Sequence, residues 1–365
     1  MDDPRWTATA PPEQLEACRA SDILDVNHQD VFATAMSNLL STDIAEQTFA
    51  QIIDGLPLKD VAFNLEATQY TRRDPVFTHV ELCPGVLEKA RMFRDSFDPR
   101  AMELRTDVLQ RYQDVPARSR ASKLPLLELV AVAVHTIAAE LFDLDGALHK
   151  RDTPCTRYTG NESDAVSRLP PWPTVFAVYS YTDPARFPRG ISDIAGYWAE
   201  DIIFGGVVLF GRGESGTGYD GIWFDSHREG VTFRIYALTE EQIESLLHFL
   251  EWEPKSQPSQ QEQRPECPLP ILGNDTNLTR VDPDVAIPLH NVYRDRWEKP
   301  AFWGSYGAYS FRKSGPRDEL NWPEIKLRKI HTRPTRSQGG THETFGELLA
   351  KVQEKNKKPG SGSGT

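Results

Sequence analysis

The segment Gly196-Tyr197-Trp198-Ala199-Glu200-Asp201 sets two adjacent carboxylates in an otherwise apolar, aromatic stretch. Burial raises a carboxylate's pKa and suits it to general acid or base work, whereas a cationic neighbour holds it ionised. Glu200 and Asp201 are therefore the candidate catalytic residues. The competing assignment is a structural ion pair between either of them and Arg212 or Arg234. Successive helical residues point about 100° apart, so one carboxylate of the two is expected to face inward. Tyr179 and Tyr181 share a face of an expected strand and, with Arg234, are candidate substrate-binding residues. For the two tyrosines, core packing is the alternative.

Other constellations are weaker. Gly211-Arg212-Gly213-Glu214-Ser215-Gly216 matches GxGxxG and follows an expected strand. A dinucleotide site needs a helix opening at the third glycine, and TGYDGIWF follows instead, so a hairpin loop is expected. Asp225-Ser226-His227-Arg228-Glu229 contains hydrolase residue types, but a triad is assembled in space, and no GxSxG elbow exists. A polar turn between two strands is the expectation. Glu128 and His135 lie seven apart on one face of an apolar helix; they could be base and orienter, half of a metal site, or core polar groups. Tyr293-Arg294-Asp295-Arg296-Trp297-Glu298 could bind an anion or pin the C-terminal loop by local ion pairs. Cys18, Cys83, Cys155 and Cys267 form no CxxC pair, and no HExxH is present, so neither a metal nor a cofactor is expected.

The elements that must position these groups form a mixed α+β pattern: a helical half packed on a small mixed or antiparallel sheet. Residues 1–20 read as a mobile leader and 21–253 as the main domain, helical over 30–150 and sheet-containing over 174–250. Helical periodicity runs from Asp30 to Gly55 and from Leu124 to Phe142, with further helices from Pro84, over Pro99–Tyr112 and over Ser192–Phe204. Ser192 or Asp193 is the expected N-cap of the last. Strands are expected at Val76–Leu82, Thr174–Tyr181, Gly205–Phe210, Gly221–Phe224 and Val231–Leu238. Thr239 and Gln242 fit a capping box for a helix ending near Leu250. Residues 254–266 read as a linker, 267–345 as an irregular wrap over the core, and 356–365 as a disordered tail.

The 365 residues carry 41 Lys+Arg against 53 Asp+Glu, a net charge of -12. That acidity argues against a duplex-DNA-binding surface. It is uneven: residues 291–365 hold 15 Lys+Arg and 8 Asp+Glu, leaving 312–336 as a possible basic track. The N-terminus lacks the basic and apolar regions of a signal peptide, and Leu124–Leu144 is interrupted by Glu128, His135, Glu140 and Asp143. A soluble, cytoplasmic protein with no membrane partner is the expectation. The oligomeric state leaves no mark in the sequence.

GYWAEDIIFGGVVLFGRG (196–213), GIWFDSHREG…LLHFL (221–250) and CPLPILGNDTNLTR…YRDRW (267–297) together resemble a widespread family of fungal proteins, mostly of unassigned function. The chain is also similar to the fungal arginine-containing cyclodipeptide synthases. The Asp-Asp-x-x-Glu pattern of that family is absent, so no residue role is carried over. The resemblance implies a small-molecule biosynthetic enzyme of specialised metabolism that joins amino acids from aminoacyl-tRNAs. Such chemistry needs a base, oxyanion donors and positioning of two esters. A carboxylate such as Glu200 or Asp201 would hold an arginyl side chain, and the 312–336 track would meet tRNA. The rival expectations are a non-catalytic binding or interaction protein, and a cyclase or hydrolase using the buried carboxylates.

Overall fold

The computed structural model describes residues 16–65, 75–144, 149, 172–178, 180–228, 230–254, 263–283 and 285–298. The chain divides into two compact units, residues 1–315 and 316–365, and every described residue belongs to the first. Tyr179, the 312–336 track and the 356–365 tail lie outside the described residues.

The fold is mixed α+β. β1 (Ala17–Arg19) leads into α1 (Ala20–Ile23), α2 (Val26–Leu40), α3 (Asp43–Asp54), α4 (Lys59–Asn64) and α5 (Val86–Ser96). β2 (Glu103–Arg105) pairs antiparallel with β1, so residues 17–19 are strand rather than mobile leader. α6 (Thr106–Gln113), α7 (Lys123–Asp143) and α8 (Ile191–Phe204) complete the helical half. β3 (Val207–Gly211), β4 (Gly221–Asp225) and β5 (Ile235–Ala237) follow, then α9 (Glu240–Leu250), β6 (Arg280–Val281), α10 (Ala286–His290) and β7 (Val292–Tyr293). The larger sheet runs β6-β5-β4-β3-β7 and is antiparallel throughout. Its centre is a meander of consecutive strands, and both edges come from the segment after residue 267.

The expected helix over residues 30–55 is two helices. Ser41 closes α2, and Thr42 opens α3 by accepting from the Ala45 N–H at 3.2 Å; a hydroxyl cap at that point favours a fresh start over continuation. Pro99–Tyr112 divides into a 3-10 turn, β2 and α6 because Glu103–Arg105 finds a strand partner in β1. The strand expected at Val76–Leu82 is a 3-10 turn, Pro75–Phe77, and loop. The one expected at Thr174–Tyr181 is reduced to a Val178–Tyr181 bridge. Neither segment pairs with a strand of either sheet, and β-propensity does not hold a strand without a ladder. Val231–Leu238 shortens to β5 because the Thr232 hydroxyl takes the Arg234 N–H at 3.1 Å, a local turn that competes with the ladder. The capping box of Thr239 and Gln242 on α9 forms as expected.

α7 is long and apolar enough to span a membrane, and 83% of its apolar window is buried inside the protein. It packs along α8, which is also buried over most of its surface. Gly205 ends α8 at φ 103°; a Cβ there would lie 2.4 Å from the Ile271 carbonyl oxygen, so the wrap passes too close for any side chain.

Candidate active site in the α7–α8 layer

Thirteen of the fourteen α8 residues are buried, so Glu200 and Asp201 both face protein, and the expectation that one would turn outward fails. Their partners also differ from Arg212 and Arg234. Glu200 Oε1 accepts from His135 Nδ1 at 2.7 Å and from Arg294 at 2.8 Å, and its Oε2 accepts from the Val208 N–H at 3.2 Å. Arg294 enters the core because β7 pairs with β3, Phe210 opposite Tyr293, and delivers the next residue beneath the sheet edge. Its guanidinium also donates to Glu298 and lies 5.3 Å from the Tyr197 ring centre. Burial opposes ionisation of Glu200, but Arg294 and His135 outweigh it and hold the carboxyl below the usual range.

His135 lies between two carboxylates. Nδ1 faces Glu200, and Nε2 faces Asp193 Oδ1 at 3.1 Å. Two acceptors require two N–H donors, so the ring is an imidazolium here. Burial works against that charge, yet Asp193 and Glu200 raise its pKa overall. The ring fits because residue 196 is glycine: a Cβ there would sit 2.6 Å from the imidazole. Neither Ser192 nor Asp193 caps α8; Gly190 takes the N-cap position. Ser192 is diverted to Asp143 at 2.5 Å, and Asp193 spends one oxygen on the Arg189 N–H at 2.7 Å and the other on His135.

This network forms the inner wall of a cavity of about 310 Å³. His135, Asp193, Tyr197, Arg294 and Glu298 line it, with Glu103 and Glu140 at an exposed side. Glu200 and Asp201 stand behind the wall and are not among the lining residues. Glu298 is buried, which raises its pKa despite Arg294 beside it. Burial likewise raises Glu140, and the nearby Glu103 adds to the effect while Arg189 opposes it. Arg105 and Arg189 line the cavity as well, Arg189 Nη1 standing 3.8 Å from Glu140, so the lining carries both signs of charge.

Glu128 does not meet His135. It accepts from Arg111 Nη2 at 2.9 Å, from Arg212 Nη2 at 2.7 Å and from the Tyr219 hydroxyl. Arg212 also donates to the carbonyls of Tyr293 and Arg294, pinning the start of the strap to α7. Of the two roles for residues 293–298, pinning is realised: Arg294 holds Glu298, and Arg296 donates to the Tyr293 hydroxyl at 3.1 Å. Arg296 also lines a second cavity of about 220 Å³ with Arg111, Arg212 and Arg294.

Asp201 pairs with His227, accepting from its backbone N–H at 3.0 Å and contacting Nδ1 at 3.2 Å. The Ser180 N–H donates to Nε2 at 3.3 Å, so the proton of this ring is on Nδ1, facing the carboxylate. His227 is thus a buried strut, and residues 225–228 place it inside rather than in a surface turn. Tyr181 is buried and stacks on Tyr197 at 4.2 Å between ring centres, behind the cavity wall. Arg234 donates to the Arg280 carbonyl at 2.7 Å, bracing β5 against β6. The GxGxxG match is the β3–β4 hairpin loop.

The contribution of Arg294 and Asp193 was invisible locally. Arg294 is 94 residues from Glu200 in a run that reads as exposed, and Asp193 reads as a helix cap. Gly196 was the available signal, since a glycine inside a helix lowers stability unless something needs the space. No family model, curated protein or solved structure matches the chain.

Proposed function

We propose that the chain is a small-molecule biosynthetic enzyme whose reaction uses proton transfer at the His135–Asp193 wall of the 310 Å³ cavity. The observation that carries this is the imidazolium held between Glu200 and Asp193 at the cavity surface. Glu200 fixes the ring through Nδ1, as the carboxylate orients the histidine of a nucleophile–base pair, and Arg294 keeps Glu200 ionised. Asp193 and Nε2 face the substrate side and share one proton. The imidazolium can give its Nε2 proton to the leaving oxygen, and the neutral ring left behind can take the proton that the attacking amine sheds as the new bond forms. The volume is at the lower end for a small-ligand site.

The resemblance noted above gives the specific form of the proposal: formation of an arginine-containing cyclodipeptide from aminoacyl-tRNA. The carboxylate of Glu103 at the cavity edge supports it, since a guanidinium is held by carboxylate oxygens; Glu140 already faces Arg189. The rival is a binding protein without catalysis. One observation favours it: three of the five N–H groups of Arg294 are spent on Glu200 and Glu298, so this guanidinium holds two carboxylates in place rather than being aimed as a whole at an oxyanion.

Metabolite profiling of a host expressing the chain decides between them. A diketopiperazine containing arginine is expected from the wild type, with roughly a hundredfold or greater loss in His135→Gln and Asp193→Asn. Loss of product when a cell-free reaction is treated with RNase tests the tRNA requirement. No new metabolite, or undiminished product in both variants at wild-type expression, overturns the proposal.

A further inference from the structure

A second polar cluster lies outside the cavity lining, at the C-terminal end of α3. Asp54, His79, Cys83 and His149 each point a ligand-type atom inward, and those atoms lie within 4.8 Å of one another. The chain is led to this point by backbone contacts. The Cys83 N–H donates to Asp54 Oδ2 at 3.0 Å, and the His149 N–H donates to the Asp54 carbonyl at 3.0 Å. The Lys59 N–H donates to the His79 carbonyl at 2.7 Å.

The protonation of His79 is constrained. Its Nδ1 is 3.0 Å from the Pro57 carbonyl oxygen, which can only accept, so Nδ1 carries a proton. Nε2 then directs its lone pair at Asp54 Oδ2, 3.1 Å away, also an acceptor. Two acceptors at that distance need a cation between or beside them, or a second proton on the ring. A histidine ligand to a metal characteristically donates its other N–H to a backbone carbonyl, as Nδ1 does here.

A simple imidazolium–carboxylate pair accounts for His79 and one oxygen of Asp54. It leaves the other oxygen, Oδ1, buried with no hydrogen-bond partner, in a residue that is 0% exposed. It also leaves unexplained why His149 turns a single nitrogen, Nε2, toward both Cys83 Sγ at 3.3 Å and Asp54 Oδ1 at 4.0 Å. A Cys–His–Asp catalytic arrangement would place the thiol and the carboxylate on opposite ring nitrogens. Convergence on one nitrogen is ligand geometry. Metal–ligand bonds of about 2.0–2.3 Å in a tetrahedral site set donor atoms about 3.3–3.6 Å apart; the His149–Cys83 pair stands at 3.3 Å, and a small inward movement would draw the other ligand atoms, all within 4.8 Å, onto an ion.

We propose that Asp54, His79, Cys83 and His149 form a four-ligand site for a zinc-type divalent ion. Two imidazoles and a thiolate select a borderline-soft metal over magnesium or calcium. Four protein ligands close the coordination sphere, so the ion is structural. It clips His149, which follows the end of α7, to the end of α3, and α3 packs against both α7 and α8. The ion would brace the two helices that carry His135 and Glu200, whether or not the cavity is catalytic.

The full chain, purified without a polyhistidine tag, loaded with zinc and dialysed, is expected to retain about one zinc per molecule by mass spectrometry. Cobalt(II) in its place is expected to show a thiolate charge-transfer band and the intense visible bands of tetrahedral cobalt. His79→Ala and Cys83→Ser should each reduce retained zinc roughly tenfold or more, while Cys18→Ser, at a thiol outside the cluster, keeps it. Zinc that washes out of the wild type, or is retained equally by Cys83→Ser, overturns the site. Should the variants fail to fold, the wild-type cobalt spectrum decides, and absence of the thiolate band overturns it.

Discussion

Glu128 shows how one buried carboxylate can organise three donors from distant parts of the chain. Arg111, Arg212 and Tyr219 converge on it, and the two arginines overcome the cost of burial and hold its pKa down at about 2. The ordinary value is 4.5, so the stabilisation is fully present above that pH and is lost as the pH falls toward 2. Glu128→Gln takes the counter-ion from Arg212, which is buried, and leaves the half-buried Arg111 with Asp107. It should lose about 3–5 kcal/mol of stability near neutral pH. The gap between variant and wild type should narrow when urea midpoints are compared at about pH 3, where the wild-type carboxylate is itself partly protonated. An equal gap at both pH values would show that the loss is packing rather than charge.

The approach of α7 to α8 rests on the missing side chain at Gly196. Replacing it with alanine raises helix propensity by about 0.5–1 kcal/mol. It also drives a methyl group into the His135 ring, and overpacking of this kind lowers stability by about 1–3 kcal/mol. The second effect is expected to win, lowering Tm in a calorimeter and separating His135 from Glu200. A Gly196→Ala protein with raised Tm and full activity would mean that the ring is free to move aside. At this scale the sequence was most informative where an element depends on its own residues. The α9 capping box, the apolar run of α7 and the β3–β4 hairpin all followed from local pattern. The strands expected at Val76–Leu82 and Thr174–Tyr181 did not form, because a strand needs a ladder partner, which local pattern does not supply. That one carboxylate of the Glu200–Asp201 pair would be buried was legible; that both are was not, nor were their partners, since His135, Arg294 and His227 lie on three separate segments.

Across the whole chain, charge and candidate site separate. The cavity and both buried networks lie within residues 1–315, while most of the basic 312–336 stretch falls in the second unit. Truncation after Gly315 should leave the thermal transition within a few degrees of the full-length value, since the cut falls at the boundary between the two compact units. If that stretch meets tRNA, the truncated chain should lose salt-sensitive RNA co-elution and tRNA-dependent product together. Retention of RNA by the truncated chain would move the contact to the first unit.

The edge strands β6 and β7 have a consequence for biogenesis. They arrive last, after the three central strands and all the longer helices have been made. A ribosome that has delivered residues 1–279 exposes a nascent sheet with two open edges, the form most prone to pairing with a neighbouring chain. It also holds Glu200 with His135 but without Arg294. A single late segment, residues 280–298, lays a two-residue strand on each edge, so that the exposed edges become short ones, and supplies the missing cation. Interrupted synthesis in this window would leave a product suited to aggregation rather than a smaller working protein.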